Sequence, residues 1–296
     1  MKSTLIIIIG FFLCWEVQAQ EDLLKELENE GKEEVIYAHQ TFDGTRIVNG
    51  QSVETKGAGS LEFIFSHRFG RINTGAYNLW GLDDAYVRLG LEYGITDRFG
   101  VGIGRSSTDK TYDGFLRYKI TRQSSGQKNI PVTIVGFTSM NIKTSPNKDD
   151  DPNVIFNDRL AYVTQFMIAR KFSSKLSAQV TPVYIHRNTV DQSIENNDDF
   201  ALGIGARYKI TRSLAITGEY FYRINPNSAS PNYNSMGIGL DIETGGHVFQ
   251  LLFTNSLGMI ERSFIEETSG DVANGDIHFG FNISRNFQLG SKRSWD

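Results

Sequence analysis

Cysteine is almost missing from this chain of 296 residues, which has a single one at Cys14. A scaffold held together by disulfides is therefore excluded. Long apolar runs are scarce as well, because after residue 15 none approaches the roughly 20 residues that a membrane-spanning helix needs. In contrast, the chain has 29 glycines, 20 phenylalanines and 12 tyrosines, and this aromatic content excludes a disordered protein.

The first 19 residues read MKSTLIIIIGFFLCWEVQA. A basic residue near the start, an unbroken apolar run and the small-x-small tripeptide at 17–19 predict a cleaved secretory signal peptide, 1–19, with the mature chain starting at Gln20. Lipidation of Cys14 is disfavoured because Leu13 stands where a small residue is needed. The mature chain is then free of cysteine, which excludes thiol catalysis.

The net negative charge of the chain comes from one short segment. Residues 20–34 contain seven acidic and two basic residues, whereas the chain after them has 27 basic and 26 acidic ones. A body with balanced charge gives no reason to expect a nucleic-acid partner. The acidic run is interpreted as a solvated linker, and a periplasmic partner for 20–34 stays open as an alternative.

The acidic run belongs to a predicted periplasmic extension, 20–56. Within it, Asn49-Gly50 separates two short β-like pieces at 46–48 and 51–53, which is a hairpin signal. Because this hairpin precedes the first long strand, we expect that it can fold into the lumen of a barrel as a small plug.

From about residue 60 onward, apolar residues alternate with Gly, polar and charged ones. In 85–93, for example, the odd positions are apolar or aromatic while Arg88 and Glu92 lie on the other face. This period of two predicts β-strands, several of them near the length that crosses a bilayer at a tilt. The predicted strands are 60–68, 85–93, 98–105, 112–120, 130–141, 159–170, 176–187, 200–210, 214–224, 236–243, 247–255 and 277–287.

The connections between these strands alternate in length. Those at 95–97, 171–175, 211–213 and 244–246 are short, with 121–129 as a longer exception. The others are mostly long and rich in Asn, Asp, Ser and Gly. Short turns at one rim and long loops at the other are typical of an outer-membrane barrel. We therefore predict an all-β fold: a single antiparallel transmembrane β-barrel of about twelve strands, with short periplasmic turns and long extracellular loops, over 57–296.

The stretches TFDGTRIVNGQSVET at 41–55, LEFIFSHRFG at 61–70 and NLWGLDDAYVRLGLEYGITDRFGVGIGRSSTDKTYDGFLRYK at 78–119 carry a resemblance. They are similar to a Gram-negative family of outer-membrane β-barrels whose function is unknown. The resemblance spans nearly the whole mature chain and is densest in 41–119. It implies an outer-membrane barrel, and it implies no activity and no catalytic residues.

Charged residues on the polar face of the predicted strands are candidates for lining the lumen. One interpretation is a charged constriction that selects small solutes. The other is a network of ion pairs that fills and stiffens a narrow barrel. The candidates are Arg88, Glu92, Arg117, Lys119, Arg207, Lys209, Glu219, Arg223, Asp241 and Glu243.

Catalytic and metal sites are weakly indicated. His67 and His278 fall on strands that barrel closure would make neighbours, and Ser66 or Ser284 lies nearby, but no spacing supports a Ser–His pair. We predict no catalytic residues, no metal and no cofactor.

Two further patterns are interpreted as structural. The acidic runs at 147–153 and 195–199 lack the residue order of a calcium loop. The segment GVGIG at 100–104 is followed by no helix, so it is not a nucleotide-binding loop.

The sequence thus predicts an outer-membrane barrel that is a narrow pore for small polar solutes. The alternative is a non-conducting barrel that anchors a partner complex, and a lipid-modifying enzyme at the rim is a more distant one. The expected surroundings are outer-membrane lipid and lipopolysaccharide.

Overall fold

The computed structural model describes residues 34–145 and 154–289. The predicted signal peptide, residues 20–33 of the extension and the acidic run at 147–153 lie outside the described residues. Within the described ranges, no helix is long and apolar enough to span a membrane.

Twelve antiparallel strands form a closed barrel, which confirms the predicted fold class. Each strand pairs with the next along the chain, and the last strand pairs with the first. The strands are β1 (Ser60–Arg71), β2 (Ala85–Gly94), β3 (Phe99–Ser106), β4 (Tyr112–Thr121), β5 (Thr133–Ile142), β6 (Leu160–Lys171), β7 (Leu176–Arg187), β8 (Asp198–Lys209), β9 (Leu214–Ile224), β10 (Ser235–Thr244), β11 (His247–Thr254) and β12 (His278–Gln288).

The connections give the barrel two different rims. At the short-turn rim, β2 and β3 are joined by residues 95–98 and β10 and β11 by residues 245–246. At the long-loop rim, β1 and β2 are joined by residues 72–84 and β11 and β12 by residues 255–277. The alternation of short and long connections is therefore as predicted, with 122–132 between β4 and β5 again the exception.

The two faces of each strand differ in burial. On β8, Phe200, Ile204 and Tyr208 on the outer face are exposed, whereas Ala201 and Arg207 on the inner face are buried. Successive side chains of a strand point to opposite faces, so this pattern places the apolar side chains outside and the charged ones inside. The outer face is the one that suits lipid.

A segment that precedes β1 occupies the barrel interior. Nearly every residue of 41–54, here called the plug, is buried. The plug turns at Asn49-Gly50, where the Ile47 amide donates to the Gly50 carbonyl at 2.8 Å and Arg46 pairs with Gln51.

Both ends of the plug lie at the short-turn rim. On one side, the Ala38 amide donates to the Gln123 carbonyl in the connection between β4 and β5 at 2.8 Å. On the other, the Ala58 amide donates to Asp97 Oδ1 in the turn between β2 and β3 at 2.9 Å. The chain therefore enters and leaves the lumen through the same opening.

The connection between β11 and β12 enters from the opposite rim. Its residues 255–268, here called the inner loop, are almost all buried and contain a single short helix, α1 (Glu261–Glu266). Phe264 and Ile265 of α1 pack in one apolar cluster with Val163, Val183, Ile185, Ala201 and Phe221 of the barrel wall. Plug and inner loop together fill the middle of the barrel.

Glycines on the inner face leave room for the plug. A β-carbon added at Gly237 would lie 2.8 Å from Cγ1 of Val48, and one added at Gly205 would lie 2.5 Å from Cδ1 of Ile47. Both contacts are tighter than carbon atoms tolerate. The high glycine content thus serves in part to let a second piece of chain approach the wall closely.

Candidate functional site: the plugged lumen

The carboxylate of Glu219 on β9 holds the tip of the plug. It accepts hydrogen bonds from the backbone amides of Val48 at 3.1 Å, Asn49 at 2.7 Å and Gly50 at 3.0 Å. Glu219 is itself buried. These three buried amides have no backbone acceptor within the plug. A single wall residue therefore satisfies all three of them.

Three arginines of the wall also contact the plug. Arg68 on β1 donates to Asn49 Oδ1 at 2.8 Å. Arg117 on β4 donates to the Gln51 side chain and to the Glu54 carbonyl, and Arg207 on β8 pairs with Asp43. The plug is thus tied to strands spread around the circumference of the barrel.

Wall amides satisfy much of the remaining backbone of the plug. Gln250 on β11 donates to the carbonyls of Arg46 at 3.2 Å and Ile47 at 3.1 Å. Gln179 on β7 accepts from the Val53 amide at 3.0 Å and donates to the carbonyl of Gln51 at 2.7 Å. These contacts use neutral groups, so they complement the charged ones without adding net charge.

The plug and the inner loop meet in the middle of the lumen. Glu261 of α1 forms an ion pair with Arg46 at 2.8 Å and accepts from Gln51 Nε2 at 2.7 Å. All three side chains are buried. This contact couples the plug, which enters from the short-turn rim, to the inner loop, which enters from the long-loop rim.

The ten lumen candidates all lie on the inner face. Lys119, Lys209 and Glu243 are partly exposed near the short-turn rim. The other seven are buried: Arg88, Glu92, Arg117, Arg207, Glu219, Arg223 and Asp241.

Most of these candidates are engaged in pairs. Arg88 pairs with Asp113, Arg117 pairs with Glu92 at 3.2 Å, and Arg223 pairs with Asp199 at 3.4 Å. Asp241 accepts from Gln250 Nε2 at 3.0 Å. The arrangement resembles the predicted network of ion pairs, and selection of solutes by these charges stays a prediction.

Several residues of the site were not singled out from the sequence. Asp113 could have been found, because it shares the inner-face parity of Arg117. Asp43 and Glu261 lie outside the predicted strands, and Gln51 lies in a β-like piece of only three residues, so no spacing identifies their partners. Their role depends on which wall residues the closed barrel brings opposite them.

No Ser–His pair forms among the histidines and serines weighed for a rim enzyme. Ser66 and His67 point to opposite faces of β1, and the His67 ring stacks on Phe281 with centroids 5.2 Å apart. His278 Nδ1 instead contacts the Phe69 carbonyl at 2.8 Å. Ser284 Oγ has no hydrogen-bond partner.

The acidic run at 195–199 distributes its carboxylates among separate partners. Glu195 pairs with Arg187 at 2.8 Å, Asp198 contacts His186 at 2.8 Å, and Asp199 pairs with Arg223. In the described parts of the chain, no group of three or more metal-ligating side chains comes together. The segment GVGIG lies in β3, where Gly102 makes space for the ring of Phe115.

Near the end of the inner loop, the carboxylate of Glu267 is paired with two cationic side chains. Glu267 accepts from Arg262 at 2.8 Å and from Lys143 at 2.9 Å. Burial raises the pKa of Glu267, but Arg262 and Lys143 outweigh it and lower that pKa from 4.5 to about 2. The Glu267 carboxylate therefore stabilises the docked inner loop fully above pH 4.5, and this stabilisation is lost as the pH falls towards 2.

We expect acid to loosen the inner loop in that window. A solvatochromic dye attached at Ser269→Cys should change its emission between pH 4.5 and 2, and the same variant with Glu267→Gln should show the acid signal already at pH 6. Burial raises the pKa of the neighbouring Glu266 well above 4.5, in the direction opposite to the shift of Glu267. An identical pH profile in the two proteins would rule out this role of Glu267.

The sequence profile of one family matches residues 42–287, and its description is Membrane bound beta barrel domain (DUF5777). The chain belongs to this family. The resemblance found in the sequence is thereby confirmed, and the protein is a membrane-bound β-barrel. No curated protein matches the chain.

Solved structures similar to this member of the family include barrels described as porins and channels. The NanC porin shares 10% identity at a TM-score of 0.49, covering 77% of this chain and 100% of that chain. The KdgM porin in complex with disordered oligogalacturonate shares 10% identity at 0.47, covering 77% and 99%. An outer-membrane channel from Pseudomonas putida F1 shares 12% identity at 0.48, covering 83% and 100%. At these values none of the three defines what this chain does.

Proposed function

We propose that the protein is an outer-membrane channel for small polar solutes, closed by its own plug and opened when the plug leaves the lumen. The signal peptide predicted from the sequence, the even number of strands and the contrast between the two rims support the outer membrane as its location.

Barrel size supports a channel. Barrels of about eight strands are filled by their own side chains, and wider ones enclose a lumen that holds water or a plug. Here twelve strands enclose a lumen that the plug and the inner loop fill. Displacement of the plug would leave a lumen lined by polar and charged side chains, which water can enter.

The observation that carries the proposal is the chemistry of the plug contacts. The wall residues that bind the plug, Glu219, Arg207 and Gln250, are polar groups that water can satisfy when the plug departs. A segment meant only to complete a permanent core would be held mainly by apolar packing. The plug therefore has the character of a removable part.

A second candidate function is a barrel that never conducts and anchors a partner complex through residues 20–34 or the long loops. One observation favours it: Phe42, Ile47, Val48 and Val53 of the plug belong to an apolar cluster with the wall. Such packing opposes release of the plug. The disulfide experiment described next separates the two functions.

A disulfide between plug and wall tests the proposal. Cγ1 of Val48 lies 2.8 Å from the position of a β-carbon on Gly237, so cysteines at both positions bring their β-carbons within the about 4.5 Å that a disulfide tolerates. The chain from Gln20 onward contains no other cysteine. We expect Val48→Cys/Gly237→Cys to give no current steps in planar bilayers when oxidised, and wild-type current steps after reduction.

Val48→Cys alone is the matched control and should conduct under both conditions, because it has a single cysteine and adds no side chain at Gly237, where a β-carbon would clash with Val48. Wild-type currents from the oxidised pair would contradict opening by plug displacement. Silence of the wild type and of the reduced pair, with both proteins folded, would favour the anchor.

A further inference from the structure

The plug does not use the whole circumference of the barrel. Its hydrogen bonds run to side chains of β1, β4, β7, β8, β9, β11 and β12. Within the described residues, no side chain of β2, β3, β5, β6 or β10 donates to or accepts from the plug. β5 and β6 are one of the two neighbouring pairs among these strands, and they meet the plug through apolar side chains such as Phe137 and Met167. The inner face of this pair is here called the sector.

Polar atoms in this sector lack partners. Gln165 on β6 is 1% exposed, and both its Oε1 and its Nε2 make no hydrogen bond. Ser139 Oγ and Asn141 Oδ1 on β5, in side chains that are 5% and 3% exposed, are in the same state. Buried polar groups are normally paired, so a patch of them on adjacent strands indicates something that they are there to bind.

The patch lies between the two inserted segments. Along the inner face of β6, Gln165 is flanked by Val163, which packs with the inner loop, and by Met167, which packs in the cluster with the plug. Along the barrel axis, the side-chain amide of Gln165 thus lies between the inner loop on one side and the plug on the other.

A polar pocket opens at each end of the same sector. At the long-loop rim, a pocket of about 310 Å³ is lined by Lys143, which follows β5, together with Asp109 and Arg187. At the short-turn rim, a pocket of about 250 Å³ is lined by Thr133, the first residue of β5, together with Lys119. β5 therefore connects one pocket to the other.

An apolar constriction separates the patch from the pocket at the short-turn rim. Phe115 and Phe137, with ring centroids 5.3 Å apart, cluster with Met167 of the wall and with Phe42 and Val53 of the plug. Two members of the constriction belong to the plug. Movement of the plug therefore opens the constriction as well.

We infer that the solute path of the channel runs along β5 and β6, from the long-loop pocket over the patch of Asn141, Ser139 and Gln165 to the constriction at Phe137. The inference rests on the proposed function and assigns its route. Hydroxyl and amide groups offer both donors and acceptors and carry no charge, and the nearby charges of Arg88 and Arg117 are paired. The patch accordingly suits small uncharged solutes that form hydrogen bonds.

Alkylation of single cysteines by iodoacetamide, an uncharged polar reagent, tests the route. Ser139→Cys and Gln165→Cys should react at least tenfold faster than Thr254→Cys in proteoliposomes, and their reaction should lower the conductance. Thr254 is the matched control, because it lies on the inner face of β11, is 2% exposed and accepts from Asn49 Nδ2 at 3.0 Å.

Equal alkylation rates at the three positions in a conducting protein would overturn the route and leave the channel intact. Absence of conductance in every variant would overturn the channel, and the route with it, whatever the rates.

As a probe of solute class, proteoliposomes should swell at least fivefold faster in arabinose than in sodium gluconate. Equal swelling rates would contradict a path for uncharged solutes.

Discussion

Replacing Glu219 with alanine is expected to release the plug and turn the barrel into a constantly open channel. The change removes the one acceptor that the amides of Val48, Asn49 and Gly50 share. A buried donor left without a partner costs about 1–3 kcal/mol, so three of them at the lower figure cost about 3 kcal/mol. That shifts the docking equilibrium of the plug roughly a hundredfold, since each 1.4 kcal/mol is about a factor of ten.

Open probability in planar bilayers measures the effect of Glu219→Ala. Glu219→Gln retains one acceptor oxygen and should give an intermediate open probability. Glu243→Ala is the matched control, because Glu243 is a half-buried inner-face acid near the rim that accepts from the Gln40 side chain at 2.9 Å and from no backbone amide of the plug tip. Wild-type open probability in Glu219→Ala would mean that the plug is not held by this carboxylate.

Replacing Arg117 with methionine is expected to give the largest loss of stability. Arg117 is buried on β4, where it pairs with buried Glu92 on β2 and donates to Gln51 and Glu54 of the plug. Removing one partner of a buried ion pair leaves a charge without compensation and typically costs about 3–5 kcal/mol. The urea midpoint of the protein in lipid vesicles should fall accordingly.

The double variant Arg117→Met/Glu92→Gln separates the ion pair from packing. It removes the stranded charge, so we expect it to recover at least half of the lost stability. Lys209→Met, which alters a partly exposed inner-face cation at the rim, should change the midpoint little, because exposed pairs contribute about 1 kcal/mol or less. A double variant as unstable as Arg117→Met alone would assign the loss to packing.

The barrel was predictable because the strands carry their own signal. A period of two persists through each strand, and it also assigns faces, so the parity of their positions alone places Arg88 and Glu92 inside, where both are buried. The Asn49-Gly50 turn was visible for the same reason, since it depends on local residue types. Local rules of this kind need no knowledge of the rest of the fold.

The partners of the plug were not predictable. Glu219 and Glu243 both lie on the inner face, yet one binds three amides of the plug tip and the other a single side chain near the rim. The difference arises from the depth that the plug reaches in the closed barrel. The inner loop was missed because α1 is only six residues long and is stabilised by contacts with a wall far away in sequence.

The two ends of the plug lie at one rim, and this has a topological consequence. Within the described residues, the segment enters as a hairpin whose two flanks are held at the same rim through Ala38 and Ala58. As a hairpin, the plug does not pass through the ring of strands from one rim to the other. The hairpin can dock after the ring has closed at β1 and β12, and it can withdraw and return while every rung of the strand ladder stays intact.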